Sequence, residues 1–179
     1  EQKLQARIGL AFIVQFQLPG RDPAAAIPLY EGILKDLPAG HAWRALVLAR
    51  LGQCQADRKS ADYARARDLF RQAVEAAKDD PFLAQETILH WASSYIATAD
   101  REEFATGLKL LGEKMPLFAG SRLEGVAHEL AAKMAESLGD WARVSAELEA
   151  WAAVGIENYG LKGQVLFRIG RINEMLLKD

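Results

Sequence analysis

An all-α fold is what this sequence predicts, and three observations predict it. Alanine and leucine are abundant while β-branched residues are sparse, so helix is favoured over strand almost throughout. Helix start and stop signals recur along the whole chain. No segment alternates apolar and polar residues as a half-buried strand would.

The elements follow in order from those signals. The first helix is expected from about Lys3 to Gln17, closed by Pro19-Gly20. Asp22-Pro23 supplies a capping carboxylate and a proline in the first helical position, and opens a second helix to about Asp36. Pro38-Ala39-Gly40 closes it, and a third helix covers roughly His41 to Ala56. Ser60 or Asp62 begins the fourth, within the stretch Asp62 to Pro81, where Ala66, Phe70 and Ala73 share one face. Asp80-Pro81 repeats the cap-plus-proline device and opens a fifth helix to about Thr98. Asp100 with Glu103 starts the sixth, which Pro116 ends; Ser121 with Glu124 forms a capping box for the seventh. Gly139-Asp140 turns the chain into an eighth helix to about Ala153, and after a loop over 155–160 a ninth runs to the end.

These helices pair, and the pairs repeat. Gly9, Gly52, Ala92, Ala132 and Gly170 each place a small residue midway along an odd-numbered helix, about every 40 positions. That period predicts stacked antiparallel hairpins, since each hairpin has an apolar face that only a neighbour can cover. About four hairpins are expected in one domain spanning 1–179: units near 1–40, 41–80, 81–119 and 120–156, then a capping helix over 157–179.

The residues resemble the tetratricopeptide repeat. In that family a large residue, a large-small pair and an aromatic mark the first helix of a unit. A small residue, an aromatic and another small residue mark the second helix, and a proline closes it. Ile88, Trp91-Ala92, Tyr95, Phe104, Leu108, Leu111 and Pro116 match that spacing without insertion, with Phe104 and Leu111 as departures. Leu48, Leu51-Gly52, Gln55, Ala66, Phe70 and Ala73 have the right types with a longer turn, as do Ile8-Gly9, Phe12, Ala26, Tyr30, Ile33 and Pro38. The fourth unit is eroded to Ala131-Ala132, Ala135, Val144, Leu148 and Trp151. The resemblance implies a right-handed solenoid that binds protein segments on its concave face. HEAT-type and Sel1-like helical-hairpin arrays, whose periods overlap with about 40, are the alternatives to that resemblance.

Composition narrows the function classes. Half the residues are apolar, and a net charge of −2 gives no basic excess for a nucleic acid. The lone Cys54 excludes an internal disulfide and a cysteine-built zinc site, and with no base beside it in sequence it reads as a small buried hydrophobe. His128-Glu129 opens like a zinc-protease motif, but Ala132 stands where the second histidine belongs, so no metal is expected. Glu86 with His90 and Glu124 with His128 read as helix-surface pairs, and His41 has no partner in sight. Phosphate-cradling loops, dinucleotide fingerprints and nucleophile elbows are missing, so neither an enzyme nor a cofactor is expected. Trp43, Trp91, Trp141 and Trp151 could suggest an aromatic cage; core or hairpin-turn packing is the reading taken.

Binding is expected on the first helix of each pair. By the repeat register that face holds Ala6, Leu10, Ile13, Ala49, Gln53, Ala56, Leu89, Ser93, Ile96, Glu129, Lys133 and Glu136. Its largely apolar N-terminal part suits an apolar or amphipathic protein segment, and no carboxylate clamp of lysines, arginine and asparagine is present. Arg67, Arg71 and Lys78 share a stripe that reads either as a solvated face paired with acids or as a patch for an acidic partner. Ile8 to Val14 is apolar all round, so something should cover it: further residues, a second copy or a partner. At about half the ~20 residues a bilayer requires, the stretch Ile8 to Phe16 is not expected to span a membrane. A chain that starts at Glu1 rather than Met reads as a processed or excised piece, with the compartment open between cytoplasm and periplasm. The expectation is a non-enzymatic scaffold for a protein or peptide. The alternative is a regulatory helical domain of a larger chain, with a closed apolar ligand pocket near Leu89, Ser93 and Ile96.

Overall fold

Polar caps and prolines cut the chain into short helices, and the computed structural model describes them over residues 1–17, 22–156 and 159–177. Among these residues there are nine α-helices and no strand. They are α1 (Gln2–Phe16), α2 (Pro23–Asp36), α3 (Arg44–Asp57), α4 (Tyr63–Ala76), α5 (Pro81–Ile96), α6 (Arg101–Lys114), α7 (Glu124–Leu138), α8 (Trp141–Val154) and α9 (Tyr159–Ile172). A 3-10 turn at Met115–Phe118 takes up Pro116, and a π turn follows at Asn173–Leu177. The expected break at Pro19-Gly20, part of the loop over 155–160 and the last two residues lie outside the described residues.

The caps do what their chemistry demands. The carboxylates of Asp22, Asp62, Asp80, Asp100 and Asp140 accept hydrogen bonds from the amides of Ala24, Arg65, Leu83, Glu102 and Arg143, at 2.8–3.0 Å. Each satisfies a backbone donor that the first helical turn leaves open. Gly139 ends α7 at φ 73°, a left-handed conformation that glycine adopts without strain, so that the amides of Gly139 and Asp140 reach back to Glu136 and Ala135.

Two helices start later than expected. Around His41 the chain makes turns instead of helix, and the His41 ring accepts from the Trp43 amide, so α3 begins at Arg44. Ser121 and Glu124 do not close a capping box. The Ser121 hydroxyl accepts from Leu123, and Glu124, the first residue of α7, reaches back to the Gly120 amide at 2.7 Å.

The chain forms two compact units, Glu1–Ser94 and Tyr95–Asp179, where the sequence suggests a single array. In the first, α1 packs on α2, α2 on α3 and α3 on α4. Their core holds Ala26, Tyr30, Ile33, Val47, Leu51 and Leu69. Gly52 admits the ring of Phe70 so closely that a Cβ there would lie 2.7 Å from it. The Tyr30 hydroxyl donates to the buried Gln15 side chain at 2.9 Å. In the second unit α6, α7, α8 and α9 pack in succession around Ala132, Ala135, Val144, Leu148, Val165 and Ile169. Gly107 meets Tyr95 and Met134 there, and Gly125 meets the Trp151 ring.

Of the five small residues expected at helix contacts, Gly52, Ala92 and Ala132 are buried, but Gly9 and Gly170 are exposed and have nothing near them. The buried stripe of α1 runs through Ile8, Ala11 and Gln15, and that of α9 through Val165, Ile169 and Ile172. Each glycine sits one residue beyond its stripe, about 100° round the helix. Phe12, the aromatic of the first unit's repeat pattern, is on the open side for the same reason and packs on Phe16.

Candidate functional site

Two grooves stand out, one in each unit. The first lies between the N-terminal ends of α3 and α5, where Asp80 caps one helix and the turns after His41 start the other. Trp43 and Leu46 come from α3 and its approach, Phe82, Leu83 and Glu86 from the first turns of α5, with Ala42 and Asp80 at the edge. It encloses about 350 Å³. Its floor is aromatic and aliphatic, and Phe82 is 57% exposed. Asp80 holds the Leu83 amide through one carboxylate oxygen. Glu86 stands 3.7 Å from Arg50, whose guanidinium also donates to Gln53 and lies over the Phe16 ring. A second depression shares Ala42, Asp80 and Leu83 and continues past His41 to Asp79.

None of the residues expected on the binding face lines this groove, which lies nearer the helix starts. Leu46 leads to Ala49 and Gln53 at helical spacing, and Glu86 leads to Leu89 and Ser93. Ala49 and Gln53 are corrections to the expected surface: both are buried, and the Gln53 side chain is bound to Arg50. Leu89, Ala56 and Ile96 are half-buried and Ser93 is exposed. The described grooves are lined by other residues than Leu89, Ser93 and Ile96. The sequence signal for the groove was two aromatics, Trp43 and Phe82, each in the approach to or first turn of a helix, where outward display needs no break in the core stripe.

The second groove, about 200 Å³, is formed by α7, α8 and α9. Ala132, Leu148, Trp151, Leu161 and Val165 give its apolar wall. Glu129 and Lys133, both expected binding residues, line its rim and pair with each other at 2.6 Å. Glu136 joins them through Arg168, also at 2.6 Å. Trp151 therefore forms part of a surface as well as packing on Gly125.

Leu10 and Ile13, expected on the binding face of α1, are 53% and 41% exposed; Ala6 beside them is exposed too. The basic stripe of α4 does not form one open face. Arg67 turns to Ser94 and donates to its hydroxyl and carbonyl at 3.1 and 3.0 Å. Arg71 is shared by Asp68 and Glu75, and its hydrogen bond holds the Asp68 carboxyl below the usual range. Lys78 is exposed beyond the helix end.

Both histidines of the expected surface pairs make contacts between helices. His128 meets Glu147 of α8 at 2.6 Å, and Arg143 reaches the other oxygen of that buried carboxylate at 2.6 Å. His90 stacks on Phe70, while the Glu86 carboxylate one turn away acts on it electrostatically. Burial and the nearby Asp57 carboxylate push the Cys54 thiol up to about 12. Among the described residues no three histidine, cysteine or acidic side chains cluster to hold a metal, and no helix is long and apolar enough to cross a membrane.

Compared with protein-family models and with curated proteins, the chain finds no match.

Proposed function

We propose that the protein is a non-enzymatic scaffold, a right-handed array of tetratricopeptide-like hairpins that docks a protein segment on the face shared by α3 and α5. One observation carries this reading: an open groove lined by aromatic and aliphatic side chains from α3, α5 and the turns that precede them. Rigid packed helices hold such a groove ready, so that on binding the ordering cost falls on the segment alone. Apolar anchors in the segment would fill the space between Trp43, Leu46 and Phe82, as in other helix-lined peptide grooves.

The test is selection of short random peptides on the intact protein, followed by competition among those enriched. The expected result is one shared site whose binding is abolished by Phe82→Ser. Phe82 is largely exposed, so the substitution leaves the fold intact, as circular dichroism would verify. Failure to enrich any peptide, or binding indifferent to Phe82→Ser, overturns the reading.

A second reading, a regulatory domain holding a small apolar ligand, is favoured by the Trp151 groove of the second unit. It requires a ligand that quenches tryptophan emission in the wild type and not in Trp151→Phe.

A further inference from the structure

We infer that the groove between α3 and α5 selects a protein segment in which arginine or lysine stands beside an apolar anchor. The inference rests on the docking face proposed above and adds the chemistry of the partner.

Two features of the groove choose this occupant. Its floor of Trp43, Leu46, Phe82 and Leu83 takes an apolar side chain, and burying such a group is favourable wherever it leaves water. Its charged members are Asp80 and Glu86, and the adjoining depression adds Asp79; no lysine or arginine lines either one. An anionic rim on an apolar floor complements a cation next to a hydrophobe and repels an acidic segment. Both carboxylates keep acceptor capacity. Asp80 spends one oxygen on the Leu83 amide, and a carboxylate has acceptor sites to spare on the other. Glu86 is a third exposed, and its ion pair with Arg50 is a loose one at 3.7 Å, longer than a charge-assisted hydrogen bond, so its oxygens can still accept from a second cation. The aromatic faces add a second attraction for the same cation, since arginine stacks on tryptophan and phenylalanine rings.

The experiment is the same peptide selection, now read for composition and run in parallel on three full-length proteins: wild type, Phe82→Ser, and Asp80→Asn combined with Glu86→Gln. Asparagine caps a helix as well as aspartate, so the double variant keeps the start of α5. On the wild type the enriched peptides should carry arginine or lysine within a few residues of leucine, phenylalanine or tryptophan. Their affinity should fall about tenfold or more when the cation is replaced by glutamine, and should fall with added salt. The double variant should enrich peptides with the same apolar anchors and without the basic bias.

Enrichment of neutral or acidic peptides by the wild type, or a basic bias surviving in the double variant, overturns the inference while the docking face stands. Loss of all enrichment on the wild type removes both. A concentration-dependent dimer that Phe82→Ser dissociates would make a second copy the occupant and would overturn it as well.

Discussion

Gly52 and Gly9 both sit in the middle of a first-unit helix, yet the same substitution should act on them in opposite directions. Replacing a mid-helix glycine by alanine gains roughly 0.5–1 kcal/mol, because the unfolded chain loses freedom and the helix loses none. At Gly9 nothing lies within 4 Å of the added carbon, so Gly9→Ala should realise that gain in full. At Gly52 the new carbon would stand 2.7 and 2.8 Å from two carbons of the Phe70 ring and 3.3 Å from the Ala66 carbonyl oxygen. Carbon atoms in contact rest about 3.5–4.0 Å apart, so ring or helix must retreat by about 1 Å. Phe70 is 1% exposed, so its ring is held among neighbouring side chains rather than free to swing into solvent. Overpacking of this kind costs about 1–3 kcal/mol, which outweighs the backbone gain and leaves Gly52→Ala less stable by roughly 0.5–2 kcal/mol. Urea unfolding followed by circular dichroism reads both variants on the same unit, with wild type as reference. The close approach of α3 and α4 through Gly52 would be refuted if Gly52→Ala were as stable as Gly9→Ala.

Three further outcomes can be measured. Glu147→Ala removes the carboxylate that joins His128 of α7 to Arg143 of α8, and should destabilise the protein by about 2–3 kcal/mol, as breaking a buried, hydrogen-bonded pair does. Glu147→Gln should recover part of that loss in the same urea titration. Leu10→Ser combined with Ile13→Ser, both on the open side of α1, should shift stability by less than about 0.5 kcal/mol per site; a larger loss would show that another surface covers this face. Alkali should weaken the protein in a window set by Cys54. The buried thiol rises from 9.0 to about 12, so its contribution is whole below pH 9 and drains away as the pH climbs toward 12, when the unfolded chain alone ionises. Tyr30, raised mainly by its own burial, acts in the same direction. Cys54→Ala should flatten the part of the pH-stability curve above 9.

Much of the fold could be read directly from the chain. Asp-Pro steps and capping acids locate helix starts because their chemistry is local, and every capping aspartate named above forms its hydrogen bond. The two late starts, α3 and α7, failed where a turn competes with the first helical turn: His41 and Ser121 each spend a side chain on a nearby amide. Register was harder. In α1 an apolar run with no charge offers several equivalent stripes, and only packing against α2 chooses Ile8, Ala11 and Gln15 over Gly9 and Phe12. The candidate site was half legible for the same reason. The stripe through Leu46, Ala49 and Gln53 follows from helical spacing, but which level of it opens to solvent depends on Arg50, whose reach to Gln53, Glu86 and Phe16 closes the middle. The link between His128 and Glu147 spans two helices and leaves no sequence pattern at all.

Cys54 has a practical consequence. One half of the molecule holds a sealed sulfhydryl and the other has none, so a thiol-tagging reagent becomes a clock that runs on one half alone. Under native conditions, and with reagent in excess, tagging proceeds only as often as that half breathes open. Its rate reports those openings without any engineered label, while events confined to residues beyond Ser94 pass unseen.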